Sequence, residues 1–320
     1  MRGFFDTTRQ LTGAWLAASG RRLERDVRCR RLVMTLLVRD EEDVVERHVR
    51  FHHAMGVDGF VVTSHKSSDR TDEILERLKR EGLVLEILRE SSDAFDQVKW
   101  VTRMIRLARD RHGADWVINA DADEYYYSEQ LDLKETIRQY APANCLWFRN
   151  MMFFPDGSED FFGCPYFVTR PLKRFEAEAL GVSEENGYGK FIWGNSFQKV
   201  AHATAGFVGI AMGNHDVSMR NKVPVHCADI KAFHYHIRNY SGYVEKVRRY
   251  ADCAQTMPKG KGEHIKRMVR LLREGRLRED YESRFSREKL DFLLREGVVT
   301  IDPSVRNFLR KLKAAGKAWG

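Results

Sequence analysis

Apolar and polar positions along residues 31–130 fall into alternating blocks of strand and helix length. Residues 32–38 (LVMTLLV) form a continuous apolar run, as expected of a strand buried on both faces. Residues 40–55 follow with helical spacing, which places Val44, Val45, His48, Val49 and His52 on one side. The pattern then predicts a strand over 58–63 (DGFVVT), a helix over 69–80 with Ile74, Leu75 and Leu78 inward, and a third strand over 83–88 (LVLEIL). A longer amphipathic helix over 93–111 and a fourth strand over 115–120 (DWVINA) complete the series. This is the spacing of βα units. It predicts an α/β fold: a doubly wound, mostly parallel sheet with helices on both faces. Ligands of such sheets bind outside the carboxyl ends of the strands.

Beyond residue 130 the pattern loosens. Residues 144–154 (NCLWFRNMMFF) read as a strand returning through the core, and 155–230, rich in glycine and aromatics, as loops with short strands. Helices are expected near 240–254, 262–274, 286–296 and 303–314. The chain therefore divides into a helical lead-in over 1–30, a main domain over 31–240, and a basic helical region over 241–320.

Composition narrows the class. The 320 residues are 43% hydrophobic and 31% charged, the balance of a folded globular chain. No apolar run is long enough for a spanning helix. The first 22 residues lack a signal peptide, because Asp6, Arg9 and Gln10 interrupt the apolar stretch. They suit an amphipathic helix ending in Arg21, Arg22 and Arg25, packed on the domain or touching a membrane surface. Five cysteines (Cys29, Cys145, Cys164, Cys227 and Cys253) are odd in number, widely spaced and without a CxxC pair. That argues against a disulfide framework or a zinc ribbon and for the reduced thiols of a cytoplasm. The net charge of +8 is dispersed, as in Arg77, Lys79 and Arg80 or Lys266, Arg267 and Arg270. A nucleic-acid binder would cluster it on one element among aromatics.

The most informative feature is Asp121-x-Asp123, directly after the fourth strand and followed by Glu124 and Tyr125–Tyr127. A bare pair of this kind is commonly an acidic turn. At the end of a buried strand, two carboxylates can instead converge on one divalent cation. Oxygen ligands select Mg²⁺ or Mn²⁺ over zinc, and such ions bind substrate phosphates. A nucleotide or sugar diphosphate is the substrate class that follows.

The segments VRDEEDVVERHVRFHHAMGVDGFVVTSHKSSDRTDEILERL and DWVINADADEYYY together resemble the family 2 glycosyltransferases of the GT-A fold, with the bacterial branch related to the family 92 enzymes as the nearer match. In that branch the first strand ends in a basic-Asp-Glu element, the second in a GSTDGT-like one and the fourth in a DADEF-like one. The three occur here in that order. AFHYHIRNYSGYVEKVRR is more weakly similar to an element near the end of the branch's catalytic domain. The resemblance makes 31–130 the nucleotide-binding half and 131–240 the acceptor half. It implies that Arg39, Asp40 and Glu41 line the nucleotide pocket and that Asp69 lies near the base or ribose. It implies that Asp121 and Asp123 hold Mn²⁺ or Mg²⁺ against the donor diphosphate, with Glu124 orienting the pair or the sugar. Where that branch has DNGSTDGT, this chain has SHKSSDRT: His65, Lys66 and Arg70 replace asparagine and two glycines.

Further candidates are less specific. Inverting transfer to a hydroxyl needs a carboxylate base, and Asp156, Glu159 and Asp160 in FFPDGSEDFFG are candidates, although Pro155-Asp156-Gly157 is also plain turn chemistry. A third metal ligand in such a fold often comes from a late histidine. His202, His215, His226, His234 and His236 are available, with His215 and His236 favoured. His234 and His236 would share one face of a strand. Lys190 in GYGK could meet acceptor or diphosphate, and among Trp100, Trp116, Trp147 and Trp193, Trp193 suits an acceptor sugar best. The expected partners are a nucleotide-sugar donor and a carbohydrate or lipid-linked acceptor, with peripheral contact at the cytoplasmic face of a membrane and no nucleic acid. A sugar nucleotidyltransferase would carry a glycine-rich basic loop after the first strand. Residues 38–48 (VRDEEDVVERH) are acidic and glycine-free.

Overall fold

The computed structural model describes residues 28–92, 95–181, 198–254 and 263–316. The first half runs β1 (Leu32–Val38), α1 (Val45–Ala54), β2 (Gly59–His65), α2 (Thr71–Arg80), β3 (Val84–Glu90), α3 (Gln97–Asp110) and β4 (Trp116–Asp121). These are the elements the pattern predicts. α1 begins at Val45 and not at residue 40, because Asp40 takes a left-handed φ of 52° in the loop that precedes it. The strands lie in the order β3-β2-β1-β4, all parallel. Six of the seven β1 residues are apolar because both of its faces are covered, and the seventh, Thr35, donates its hydroxyl to Asn119 Oδ1 at 2.6 Å. Leu32, Met34 and Leu36 pack with Val45 and Val49 of α1 and with Leu75 and Leu78 of α2. Val33 packs with Val101, Met104 and Ile105 of α3 on the opposite face. α3 starts where the Asp96 side chain accepts the Lys99 N–H at 3.1 Å.

The chain steps outward from β1 to β3 and then returns to place β4 on the other side of β1. That reversal opens a crevice at the carboxyl ends of β1 and β4.

The second half runs β5 (Glu124–Ser128), α4 (Leu133–Arg138), β6 (Cys145–Phe153), β7 (Tyr166–Val168), α5 (Arg174–Ala179), β8 (Lys199–Ala203), β9 (Phe207–Ile210), β10 (Val217–Met219) and β11 (Pro224–His234). α6 (Tyr240–Ala254), α7 (Glu263–Arg273), α8 (Leu277–Arg284), α9 (Arg287–Arg295), β12 (Val299–Ile301) and α10 (Ser304–Ala314) follow. β8 inserts between β4 and β6, antiparallel to both. β11 runs parallel to β6 and antiparallel to β5. β7 and β12 extend the far edge. The first half is thus wholly parallel, and the strands that enlarge the sheet after Asp121 pair antiparallel except where β11 joins β6. α6–α9 enclose a second core that includes Tyr243, Val247, Val269, Leu271, Tyr281 and Leu293. α10 returns to the main core through Val305, Phe308 and Leu309.

α8 and β12 had no signal in the pattern. LREDYESR offers only Leu277 and Tyr281 as apolar positions, and β12 is three residues long. The lead-in helix expected over 1–30 lies almost wholly outside the described residues. No described helix is long and apolar enough to cross a membrane. Cys29, Cys145, Cys164 and Cys227 are buried and free.

Candidate functional site

The site is built at the reversal. β4 delivers Asp121 at its end, a two-residue turn follows, and β5 turns back beginning at Glu124. β11 pairs with β5 so that His234 lies opposite Glu124. The Tyr235 N–H donates to the Asp123 carbonyl at 2.8 Å and binds the turn to the end of β11. These backbone bonds carry a carboxylate and two imidazoles to one point. One ligand atom from each of Asp123, His234 and His236 lies within 4.8 Å of the others. His234 Nε2 is 3.3 Å from Asp123 Oδ1, and Lys246 Nζ is 3.6 Å from Asp123 Oδ2. The donor set suits a divalent ion of intermediate hardness. Imidazole favours Zn²⁺ or Fe²⁺, carboxylate favours Mg²⁺ or Mn²⁺, and a mixed set fits Mn²⁺ better than Mg²⁺. His234 Nδ1 is buried without a hydrogen-bond partner, an unspent lone pair or proton beside the cluster.

Charge around the cluster is heavily compensated. Asp123 is 8% exposed. Burial would raise its pKa, but His234, Lys246 and Arg238 outweigh that and hold the carboxyl well below the usual carboxylate range. Glu124 is fully buried, accepts from the Tyr126 hydroxyl at 2.9 Å, and contacts Lys199 Nζ. Lys199 is itself 2% exposed, 3.7 Å from Asp121 Oδ2, and donates to the Gly213 carbonyl at 3.0 Å. Burial would lower the Lys199 pKa, yet Glu124 and Asp121 raise it, so the ammonium stays charged. Asp121 therefore faces Lys199, one step outside the Asp123–His234–His236 set, with a third of its side chain exposed.

The loop after β1 is zipped to the loop after β2. Asp40 Oδ1 accepts from the Ser68 N–H at 2.7 Å, and Asp69 Oδ2 accepts from the Glu42 N–H at 3.0 Å. Asp69 Oδ1 also accepts the Thr71 N–H at 2.9 Å at the start of α2. Arg39 sits beside Asp40, with Nε 3.7 Å from Oδ2. Arg238 joins this loop to the end of β11: one guanidinium nitrogen is 2.5 Å from Glu41 Oε2 and another 2.6 Å from Asp43 Oδ2. Burial alone would lower the Arg238 pKa, but Glu41, Asp43 and Asp123 raise it. Arg238 is the tie that brings the β1 loop and the metal-type cluster into one cleft.

The 156–160 loop reaches the same tie from the other side. The Asn239 amide donates to Glu159 Oε2 at 2.8 Å, and Asn239 Oδ1 accepts the Gly242 N–H at 2.8 Å in the first turn of α6. Glu159 therefore orients the residue that caps α6. Asp156 Oδ1 accepts the Ser158 N–H at 2.9 Å, the turn its neighbours predicted. Asp160 precedes a single 3₁₀ turn (Phe161–Gly163), where a β-carbon on Gly163 would meet Asp160 Oδ2 at 2.9 Å.

Of the histidines favoured as ligands, His236 joins the cluster. His215 stands outside it, with Nδ1 3.0 Å from the Gln198 carbonyl and its ring against Gly213. A β-carbon on Gly213 would come within 2.5 Å of His215 Nε2, and the residue has φ +75°, so only glycine fits there. His202 is buried between Asn119 and Phe207, and His226 packs at a tilt against Trp147, with ring centroids 5.0 Å apart. Trp100 packs at a tilt against His65, with ring centroids 4.6 Å apart, and Trp116 is core. Lys190 and Trp193 lie outside the described residues.

Sequence reasoning missed Lys199, Arg238 and Lys246. Lys199 opens an apolar strand (KVAHA), where a buried lysine is unexpected without a buried acid, and Glu124 supplies that acid. Arg238 and Lys246 fall in the segment matching the weaker family element, but only the fold shows what they face.

The chain matches no known family and no curated protein. Among solved structures it is similar to TarS 1–349 from S. aureus in complex with UDP-GlcNAc (11% identity, 69% of this chain and 66% of that one, TM-score 0.40). It is also similar to the mannosyltransferase PcManGT from Pyrobaculum calidifontis in complex with GDP-Man and Mn²⁺ (13%, 89% and 75%, TM-score 0.40). A third is glucosyl-3-phosphoglycerate synthase from Mycobacterium tuberculosis (13%, 72% and 81%, TM-score 0.36). At this distance nothing about the activity of this chain rests on the likeness.

Proposed function

We propose that this chain is a metal-dependent glycosyltransferase. It moves a sugar from a nucleoside diphosphate donor to a carbohydrate or lipid-linked acceptor, with inversion. The observation that carries this reading is the meeting, at the crevice between β1 and β4, of the zipped loops 39–43 and 67–71 with the Asp123–His234–His236 set. The family resemblance of residues 31–130 points the same way and supplies the roles.

In this reading Arg39, Asp40, Glu41 and Asp69 shape the nucleoside end of the cleft, and Asp121 faces the donor from the rim. Asp123, His234 and His236 would hold Mn²⁺. When bound, that ion supplies Lewis-acid charge for the departing diphosphate. Lys199 and Arg238 oppose the burial that raises the Glu124 and Glu41 carboxyls and hold both side chains in place, so the cleft needs no reorganisation as charge develops. The acceptor hydroxyl gives its proton to a carboxylate of the 156–160 loop. Asp160 and Asp156 are the better candidates, since Glu159 already accepts from Asn239. By the family resemblance, Lys190 meets the acceptor or the diphosphate. The acidic, glycine-free loop after β1 disfavours nucleotidyl transfer, and the acidic strand ends disfavour nucleic acid. The reaction belongs to the cytoplasm, with peripheral contact at a membrane where the acceptor is lipid-linked.

The test is calorimetric titration of UDP, GDP, CDP and dTDP, with and without Mn²⁺, into wild type and Asp123→Ala. One nucleotide should bind with Mn²⁺ present and lose that binding in the variant. Failure of all four to bind wild type under either condition overturns the reading.

A further inference from the structure

Lys246 stands where the proposed metal ion would have to act. It projects from α6, two turns past Asn239, and its ammonium reaches two of the three candidate ligands. Lys246 Nζ lies 3.6 Å from Asp123 Oδ2 and 3.0 Å from His236 Nδ1, and it donates to the His236 carbonyl at 2.8 Å. An ammonium has three protons and no lone pair, so it is the donor in the contact with His236 Nδ1. The Nδ1 lone pair is thereby engaged, and the imidazole carries its own proton on Nε2. A divalent cation coordinates through such a lone pair and through the Asp123 carboxylate. The tethered ammonium and the free ion therefore draw on the same acceptors.

The side chain is also placed to leave. Lys246 is a fifth exposed, against 2% for Lys199, and a flexible stem of four methylene carbons separates its ammonium from the helix backbone. Lys199 is locked between Glu124 and the Gly213 carbonyl and has no such freedom. Of the two lysines at the cluster, one is a fixed counter-charge and the other a movable one.

Resting on the donor-cleft reading above, we infer that Lys246 is a built-in counter-ion of the Asp123–His234–His236 site. Divalent metal displaces it, and the released ammonium then faces the donor diphosphate. Without metal, Lys246 keeps Asp123 compensated and holds α6 against the end of β11. With metal, the like charge of the ion drives the ammonium outward toward the only new anion in the cleft. The residue thus opposes metal binding in the empty protein and favours nucleotide binding in the loaded one.

The experiment uses the full chain. Mn²⁺ is titrated without nucleotide into wild type, Lys246→Met and Lys246→Arg, and free Mn²⁺ is read by electron paramagnetic resonance. Lys246→Met should bind Mn²⁺ more tightly by roughly tenfold or more, because one like charge is removed beside the ion, while Lys246→Arg stays near wild type. With Mn²⁺ saturating, the nucleotide identified in the panel should bind Lys246→Met several-fold more weakly than wild type. A merely structural lysine would not shift the two affinities in opposite directions. Lys246→Gln replaces the methionine variant if the latter does not melt cooperatively. Unchanged or weaker Mn²⁺ binding in the neutral variant overturns the inference, as does absence of Mn²⁺ binding in all the proteins. The donor reading is judged separately, since nucleotide binding is read in its own titration.

Discussion

Three histidines are sealed inside the sheet and its first helix, and acid should unfold the protein through them. His48 and His52 on α1 and His202 on β8 are all 0% exposed. Burial pushes His48 to about 3 and His202 to about 4, and it pushes His52 well below the ordinary histidine range. Each folded value lies below the unfolded value of about 6.5. Between those limits the unfolded chain binds more protons than the native one, so stability falls as pH falls. The contribution is fully present above about pH 6.5 and is lost as pH falls below that, down to about pH 4 for His202 and about pH 3 for His48. Each histidine costs about 1.4 kcal/mol per pH unit in that window, or about 4 kcal/mol per unit for the three together. From pH 6 to pH 4.5 the loss is about 6 kcal/mol, comparable with the whole stability of an ordinary domain. The hydrogen bonds show why the protein cannot evade this. His52 Nδ1–H donates to the His48 carbonyl at 2.9 Å, and its Nε2 accepts the Tyr126 N–H at 2.9 Å. A proton on Nε2 would set two donors face to face in the strand that carries Glu124. Urea unfolding at pH 7.5, 6, 5 and 4.5 measures the slope. His202→Gln keeps a hydrogen-bonding group beside Asn119 and should reduce that slope by about one third. A flat stability between pH 7 and 5, or an unchanged slope in the variant, refutes the reasoning.

Three further outcomes follow from the charge pairs. Lys199→Met leaves the fully buried Glu124 without its cation and should cost about 3–5 kcal/mol, seen as a melting point lower by roughly 10 °C; a shift of under 2 °C would contradict the pairing. Arg238→Met separates Glu41 and Asp43 from the end of β11 and should weaken nucleotide binding at least about tenfold by calorimetry. Arg238→Lys should rescue only part of that, because a point charge cannot bridge two carboxylates as the guanidinium fork does. Arg170 donates to both oxygens of Glu176 at 2.8 and 2.7 Å and, against the opposing effect of burial, holds that carboxyl near about 2. The stabilisation is complete above the ordinary glutamate value and disappears as pH falls toward 2. Arg170→Met should therefore lower stability at pH 7 by about 2–4 kcal/mol and have less effect at pH 3, as read by urea unfolding.

The parts of the fold that were legible in the chain are those where a local pattern and the final environment demand the same thing. β1 is apolar at every position but Thr35 because sheet and helices cover both of its faces, so its run announces a central strand without reference to anything distant. Asp121 and Asp123 were legible for a related reason: acids directly after such a run must sit at a strand end, where parallel sheets open their crevice. The rest of the cluster depends on pairings across long stretches of chain. His234 meets Asp123 only because β11 aligns with β5, and that register is set by backbone bonds over 100 residues apart in sequence, with no composition to mark it. Two residues can alternate on a strand and still be assigned different roles by where the strand ends. β11 stops at His234, and the chain then bends so that His236 still reaches the cluster while Arg238 turns to the β1 loop. The same dependence explains the lysines. A lysine in sequence is a surface residue by default, and Lys199 departs from that only because Glu124, 75 positions earlier, is buried opposite it. Acid ligands at a strand end can thus be inferred from their own neighbourhood. The cations that pair with those acids cannot, because their partner is chosen by topology. A cleft of this type therefore shows its acids in the sequence and its counter-charges only in the fold.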